Sequence, residues 1–399
     1  MLSTTQLKKY ADVLLWGLEI ARETKLAPGH SILVRADLAA MPLVEVLYAK
    51  LLEQGAHPIL RLSAPENIQQ TYYKLASEDQ LAFIPYGEEE LLGNVQGLIS
   101  IRAPKSLTHL QKIKAEKLAY AAKAMVRLKN ITNRREALGE YSWCLTIYPT
   151  PELAAYAGTT PEAYARQVVK ACYLDVKDPV AKWRETYQEV TAVKSWLNGL
   201  NIKTLEVVGA GCDFSVGLGE KRQWLGISGR NVPSFEIFTS PDLNATRGHF
   251  FADQPSFRDG NIITDAHLEF RDGKVVRSRA KTGGGYLKSQ LNADEGAGYV
   301  GEFSLTDKRF SKISAFMANT LYDENFGGRY GNCHVAVGSA YLNAYAGDCA
   351  ALSAADIKAL GFNSSSIHWD LINTGNKVVT AVLPGGKRTV IYENGMFKY

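Results

Sequence analysis

Apolar positions change their spacing once along this chain. Over residues 4–23 they recur at helical intervals, with Leu7, Ala11, Leu14, Leu15 and Leu18 on one face, which predicts an amphipathic helix. Residues 30–35 read as a strand, 42–54 as a helix closed by Gly55, and 57–62 as a second strand. That order is one βαβ unit, so a parallel sheet is expected. Short helices at 69–75 and 88–92, a buried strand at 97–102, a Lys- and Ala-rich helix at about 110–128 and a strand at 143–148 extend the same layer. No Gly-x-Gly-x-x-Gly joins a strand to a helix in it, so the layered form alone does not license a nucleotide.

Helical spacing continues over 160–200, interrupted at Asp178-Pro179, and Thr160 with Pro161 supplies a cap and first position for one helix. Past Asn198 short alternating segments take over, with turns at Gly209-Ala-Gly, Gly217-Leu-Gly, Arg271-Asp-Gly, Lys281-Thr-Gly-Gly-Gly and Gly385-Gly. This part reads as mainly antiparallel sheet with a few helices. The expected fold is therefore α/β plus α+β, with a parallel-sheet α/β domain over 1–190 and a sheet-rich domain over 191–399. The two Gly-rich stretches are expected to be turns and not phosphate loops. Gly209-Ala-Gly has no third glycine, and Gly283 to Gly285 precede Tyr286 where no helix is expected.

Composition narrows the function classes. Hydrophobic residues are 46% and charged residues 22% of 399, ordinary globular usage. A net charge of +4 comes from 45 basic and 41 acidic residues scattered along the chain, which gives nucleic-acid binding no support. No apolar run approaches the ~20 residues that span a bilayer, and the first residues lack the pattern of a signal peptide, so no membrane association and a cytoplasmic location are expected. Cys144, Cys172, Cys212, Cys333 and Cys349 are odd in number and show no Cys-x-x-Cys pair, which argues against a disulfide framework and a structural zinc site.

The candidate chemistry lies in the second half, in five segments that set ionisable residues among apolar ones. They surround Glu236, Glu302, Asp323-Glu-Asn, His334, and the pair His368 and Asp370. Buried carboxylates are expected to be paired or metal-bound, because desolvating one alone costs several kcal/mol. In an extended segment His368 and Asp370 project to one face and Trp369 to the other. That pair suits a metal, an Asp orienting a lone His, or a surface ion pair. Two histidines and three carboxylates together make a sensible shell for two divalent ions about 3.5–4 Å apart. Imidazole and carboxylate donors without thiolate suit zinc, manganese or cobalt. Cys333, next to His334 in a strand, should face the other way. Asp265, His267 and Glu269 repeat the alternate spacing and are read as a solvated strand face.

The order and spacing of Asn-x-Pro-x-x-Glu-x-Phe-Thr-Ser-Pro, Val-Gly-Glu, Leu-Tyr-Asp-Glu-Asn, His-x-Ala-x-Gly-x-Ala-Tyr and Ser-x-Ile-His-x-Asp resembles the thermophilic aminopeptidase family of aminopeptidase T, AmpS and PepS. The resemblance implies a cytosolic metal-dependent aminopeptidase that removes N-terminal residues from short peptide substrates through a water activated by two divalent metal ions. It implies metal ligands at Glu236, Glu302, His334, His368 and Asp370, catalytic roles for Glu302 beside the activated water and for the hydroxyl of Tyr341, and a homodimer enclosing a cavity. Tyr341 lies seven positions after His334, so the chain must turn at Gly338 to bring both into one site. The chain departs from the family pattern at Phe235, where a small residue is usual; the ring is expected to point away from Glu236. A metallohydrolase of another amide or ester, and a metal-free binding protein on the same fold, are the alternative readings.

Overall fold

The computed structural model of this chain describes residues 2–22 and 24–399; Glu23, the expected end of the first helix, lies outside them. The chain divides into two compact units, Met1–Trp183 with Ser228–Pro233 and Arg258–Asn261, and Arg184–Ile227 with Ser234–Phe257 and Ile262–Tyr399.

In the first unit α1 (Thr4–Ile20) starts at Ser3, whose hydroxyl accepts the Gln6 N–H while the Gln6 side chain accepts the Ser3 N–H, a reciprocal cap for two otherwise unpaired donors. Then follow β1 (Ser31–Ala36), α2 (Met41–Glu53), β2 (His57–Leu62), α3 (Glu66–Leu75), α4 (Glu78–Ala82), α5 (Glu88–Asn94), β3 (Gly97–Arg102), α6 (Ala115–Ala137), β4 (Ser142–Ile147), α7 (Pro151–Tyr156) and α8 (Pro161–Ala171). The four strands form one parallel sheet in the order β2-β1-β3-β4, as the βαβ pattern requires. Helix α6 begins and ends later than its apolar spacing suggests. Its last turns carry Arg134 and Arg135, cations that suit a helix C-terminus but leave no apolar stripe to read.

A long helix, α9 (Pro179–Gly199), leads into the second unit. Its strands and helices are β5 (Thr204–Gly209), β6 (Cys212–Gly217), β7 (Leu225–Gly226), β8 (Glu236–Thr239), β9 (Thr246–Ala252), β10 (Ser256–Arg258), β11 (Asn261–Ile263), β12 (Ala266–Arg271), β13 (Lys274–Arg279), α10 (Gly284–Gln290), β14 (Val300–Thr306), α11 (Thr320–Asp323), β15 (Asn332–Gly338), α12 (Ala354–Ala359), β16 (His368–Asn373), β17 (Val378–Val382), β18 (Arg388–Glu393) and β19 (Met396–Phe397). An eight-stranded antiparallel sheet runs β13-β12-β9-β6-β5-β17-β18-β19, and a five-stranded one runs β16-β15-β14-β8-β7. One expectation fails here. Gly283 is left-handed, with φ of 72°, and opens the short helix α10, in which Leu287 is buried. Seven residues with two leading glycines are too few to show a helical period.

The two sheets of this unit pack through aromatic side chains: Phe214 of β6 lies 6.2 Å from Phe303 of β14 and 5.5 Å from Phe250 of β9, centroid to centroid. Phe303 alternates with Glu302 along β14, so the carboxylate faces away from this aromatic layer. All seven positions of β14 and of β15 are buried. Both faces are covered, so the polar face of β14, with Glu302, Ser304 and Thr306 alternating with Phe303 and Leu305, is buried as well.

A candidate metal centre on the five-stranded sheet

Cross-strand register assembles the site. Ser304 lies opposite Phe238 on β8 and His334 on β15, and Ala336 lies opposite Glu302 on β14 and Asp370 on β16. Gly338 lies opposite His368. Directly opposed residues share a face, so Glu236, Glu302, His334, His368 and Asp370 all project to one side. The two positions between the large side chains are small, Ser304 and Ala336, and leave space above the sheet. Cys333 faces the other side, as expected from alternation.

The side chains close into two groups that share one member. His334 Nε2 lies 3.2 Å from Glu302 Oε1 and 3.3 Å from Glu236 Oε2. His368 Nε2 lies 3.3 Å from Glu302 Oε2 and 3.5 Å from Asp370 Oδ1. In each triad, Glu236–Glu302–His334 and Glu302–His368–Asp370, the potential donor atoms lie within 4.8 Å of one another. Glu302 thus offers one oxygen to each, and Asp370 Oδ1 also comes within 3.8 Å of His334 Nε2. A hydrogen bond of 2.8 Å between His368 Nδ1 and the Ser339 carbonyl fixes that ring with Nε2 turned to the carboxylates, the orientation found in metal-bound imidazoles.

Two glycines permit this geometry. A bulge separates Val300 from Glu302, and a Cβ on the intervening Gly301 would meet the Ser339 and Gly338 carbonyl oxygens at 2.3 and 2.4 Å. Gly338 has φ of 104°, a backbone state disfavoured for other residues, and a Cβ there would meet the Ile367 carbonyl oxygen at 2.2 Å. The turn it makes carries Tyr341 back to the site. The Tyr341 ring sits 4.8 Å from the His368 ring and 5.4 Å from that of Phe238. Tyr341 is 43% exposed and His368 and Asp370 are half-buried, whereas Glu236, Glu302 and His334 are buried.

Burial and close packing shift the ionisable groups of the cluster. Burial raises the Glu236 carboxyl, a hydrogen bond from His334 opposes this, and Glu302 raises it further. Burial works to lower the His334 imidazole, yet hydrogen bonds to Glu236 and Glu302 outweigh it and hold the ring well above its ordinary range. His368 follows the same logic with Asp370 as the main partner. Burial, then Glu302 and Asp370, push the Tyr341 phenol up. Two imidazoles and a surplus of carboxylates, with no thiolate among them, fit divalent cations that take nitrogen and oxygen donors.

Glu324, absent from the sequence-based ligand set, is buried close enough to Glu236 and Asp370 to interact with them electrostatically. Burial raises its carboxyl well above the ordinary range, and Glu236 and Asp370 raise it further. It follows the short helix α11, where a carboxylate gives no periodic signal; the triplet Asp323-Glu-Asn was the available clue. Its neighbour Asp323 accepts the N–H groups of Met317 and Asn319 at 2.7 and 2.9 Å, and burial lifts it to about 8. The row Asp265, His267 and Glu269 does not gather: His267 stacks on Phe251, while Glu269 pairs loosely with Arg277 at 3.8 Å and Asp265 with Lys281 at 3.9 Å. Phe235 is fully buried, and Glu236 still reaches His334.

Comparison with known proteins agrees with this picture. A model of the thermophilic metalloprotease (M29) family matches residues 3–397. The chain is 29% identical to Aminopeptidase 2 of Geobacillus stearothermophilus, over 99% of this chain and 98% of the relative, and 26% identical to Aminopeptidase PepS of Streptococcus thermophilus, over 98% and 97%. Wild-type AmpT from Thermus thermophilus superposes with a TM-score of 0.79 at 23% identity, over 98% of this chain and 99% of that one, which shows a shared fold. With nearly its whole length matched by the family model and its imidazoles and carboxylates gathered on one sheet, the chain belongs to the thermophilic metalloprotease (M29) family.

Proposed function

We propose that this protein is an aminopeptidase whose second unit holds two divalent metal ions, zinc, cobalt or manganese, and removes the first residue of short peptides. The observation that carries the reading is Glu302, which presents one oxygen to each triad and is thereby suited to bridge two ions. Glu236 and His334 would complete one position, and His368 and Asp370 the other. When bound, the ions supply Lewis acidity, which polarises a carbonyl and lowers the pKa of water.

The protein's own groups do the rest. A carboxylate of the cluster takes a proton from the attacking water and returns it to the leaving amine, with Glu302 close to that water. The Tyr341 hydroxyl, held protonated by burial and by its carboxylate neighbours, donates a hydrogen bond to the oxygen on which charge develops. The acidic lining favours a substrate with a free α-ammonium group, which is what distinguishes an aminopeptidase from a general amide hydrolase. Five cysteines held as thiols and not as disulfides among the described residues fit a reducing, cytoplasmic setting, and the resemblance to the aminopeptidases supports a homodimer. Hydrolysis of aminoacyl anilides tests the reading: turnover should vanish on chelation and return with zinc or cobalt. Folded, metal-replete protein without turnover would overturn it.

A further inference from the structure

We infer that Asn325 is a positioning residue that sets the metal affinity of the centre by holding the backbone of Glu236. The inference rests on the proposal that Glu236 is a ligand. Asn325 is fully buried, and the contacts of its amide use both ends of the group. Its Oδ1 accepts two consecutive backbone N–H groups, from Phe235 at 2.5 Å and from Glu236 at 3.0 Å. Its Nδ2 donates to the Leu321 carbonyl at 3.0 Å and lies 3.4 Å from Glu324 Oε1. One planar group therefore ties three things together: the first residue of β8, the Leu321 carbonyl of α11, and the carboxylate of Glu324.

The location gives this bracket its consequence. Glu236 is the first residue of a four-residue strand, where strand pairing alone leaves the backbone least constrained. Its carboxylate must nevertheless meet His334 at 3.3 Å. A side-chain oxygen that takes both the Phe235 and Glu236 N–H groups fixes the peptide plane from which that carboxylate extends. Aspartate could accept the same two bonds, but its second oxygen would face the Leu321 carbonyl and the Glu324 carboxylate where an N–H₂ now donates. Asparagine is the residue whose two ends match both sides. Removing an outer partner that orients a ligand typically weakens metal affinity about 10–100-fold.

Zinc affinity, measured on folded protein by competition with a chromophoric chelator, tests the inference with N325A, N325S, L321A and E236A. N325A should bind zinc at least about 10-fold more weakly, with N325S between it and the wild type because a hydroxyl can serve one N–H. Leu321 is a buried side chain of the same helix whose removal leaves its carbonyl in place. L321A should therefore lower the melting temperature and leave zinc affinity unchanged. The inference is overturned if N325A, or N325S should N325A not fold, keeps wild-type affinity, or if L321A weakens zinc as much as N325A does. E236A separates the two levels. If it leaves zinc affinity unchanged, the ligand assignment fails; if it weakens zinc while the Asn325 variants do not, only the positioning role fails.

Discussion

Replacing Glu302 by Gln keeps the shape and removes what the shared position needs. The side chain is buried at 3% exposure, with its oxygens 3.2 Å from His334 Nε2 and 3.3 Å from His368 Nε2. In the metal-free protein two effects oppose each other: attraction to the imidazoles is lost, and repulsion from Glu236 is relieved. Each is up to several kcal/mol at an effective dielectric of about 20, so metal-free stability should change by about 1 kcal/mol or less. The metal response should change far more. At a zinc concentration 100-fold above Kd each ion stabilises the wild type by about 2.7 kcal/mol. Two ions give about 5 kcal/mol, or a melting shift of roughly 6 °C at about 1.2 °C per kcal/mol for a chain of 399 residues. If the lost shared oxygen weakens each ion about 100-fold, the same zinc stabilises E302Q by only about 0.4 kcal/mol per ion, a shift of about 1 °C. Thermal unfolding with zinc and with a chelator reads both values, and aminoacyl anilide turnover should fall at least about 100-fold. A zinc-induced shift in E302Q equal to that of the wild type would refute the sharing of Glu302 between two ions.

Y341F should retain zinc affinity and lose about 100–1000-fold in kcat, as expected for removal of one donor to a developing oxyanion; an unchanged kcat would remove Tyr341 from the chemistry. G301A should lose both stability and zinc, because its new methyl would overlap the carbonyl oxygens of Gly338 and Ser339 and displace the bulge that aims Glu302; chelator competition and thermal unfolding would show it, and an unperturbed variant would mean the bulge is slack. The pH response of the metal-free protein has a definite sign. Glu236 and Glu324 are raised from 4.5, and His334 and His368 from 6.5, in the folded state, so the folded protein holds more protons than the unfolded one above those values. Stability must then fall as pH rises past 4.5 and further past 6.5. Zinc stabilisation should run the other way, since its ligands bind the metal deprotonated; parallel slopes with and without zinc would contradict this.

Much of the centre was legible because strands repeat every two residues. His368 and Asp370 declared a common face, and Cys333 was set against His334 by the same rule. What alternation could not show is register, and register is what places Ala336 between Glu302 and Asp370. The bulge at Gly301 shifts that register by one residue, which no pattern of apolar positions records. Glu324 escaped because it follows a four-residue helix and is brought to the cluster by tertiary packing. In the first unit the parallel sheet followed from βαβ order, whereas the end of α6 and the existence of α4 and α10 did not, since short or polar helices carry no stripe. The side chains that gather on the sheet were thus easier to find than those packed around them, because ionisable residues stand out among apolar neighbours and a buried amide such as Asn325 does not.

The central claim is that metal-loaded protein cuts the first peptide bond and needs a free amine to do so. Two short peptides of one sequence, one with a free N-terminus and one acetylated, would be incubated with zinc- or cobalt-loaded protein and the products weighed by mass spectrometry. The account predicts stepwise loss of the first residue from the free peptide, no cleavage of the acetylated one, and none of either after chelation. Equal cleavage of both peptides would identify a metallohydrolase without aminopeptidase selectivity, and cleavage of neither by folded, metal-loaded protein would contradict the account altogether.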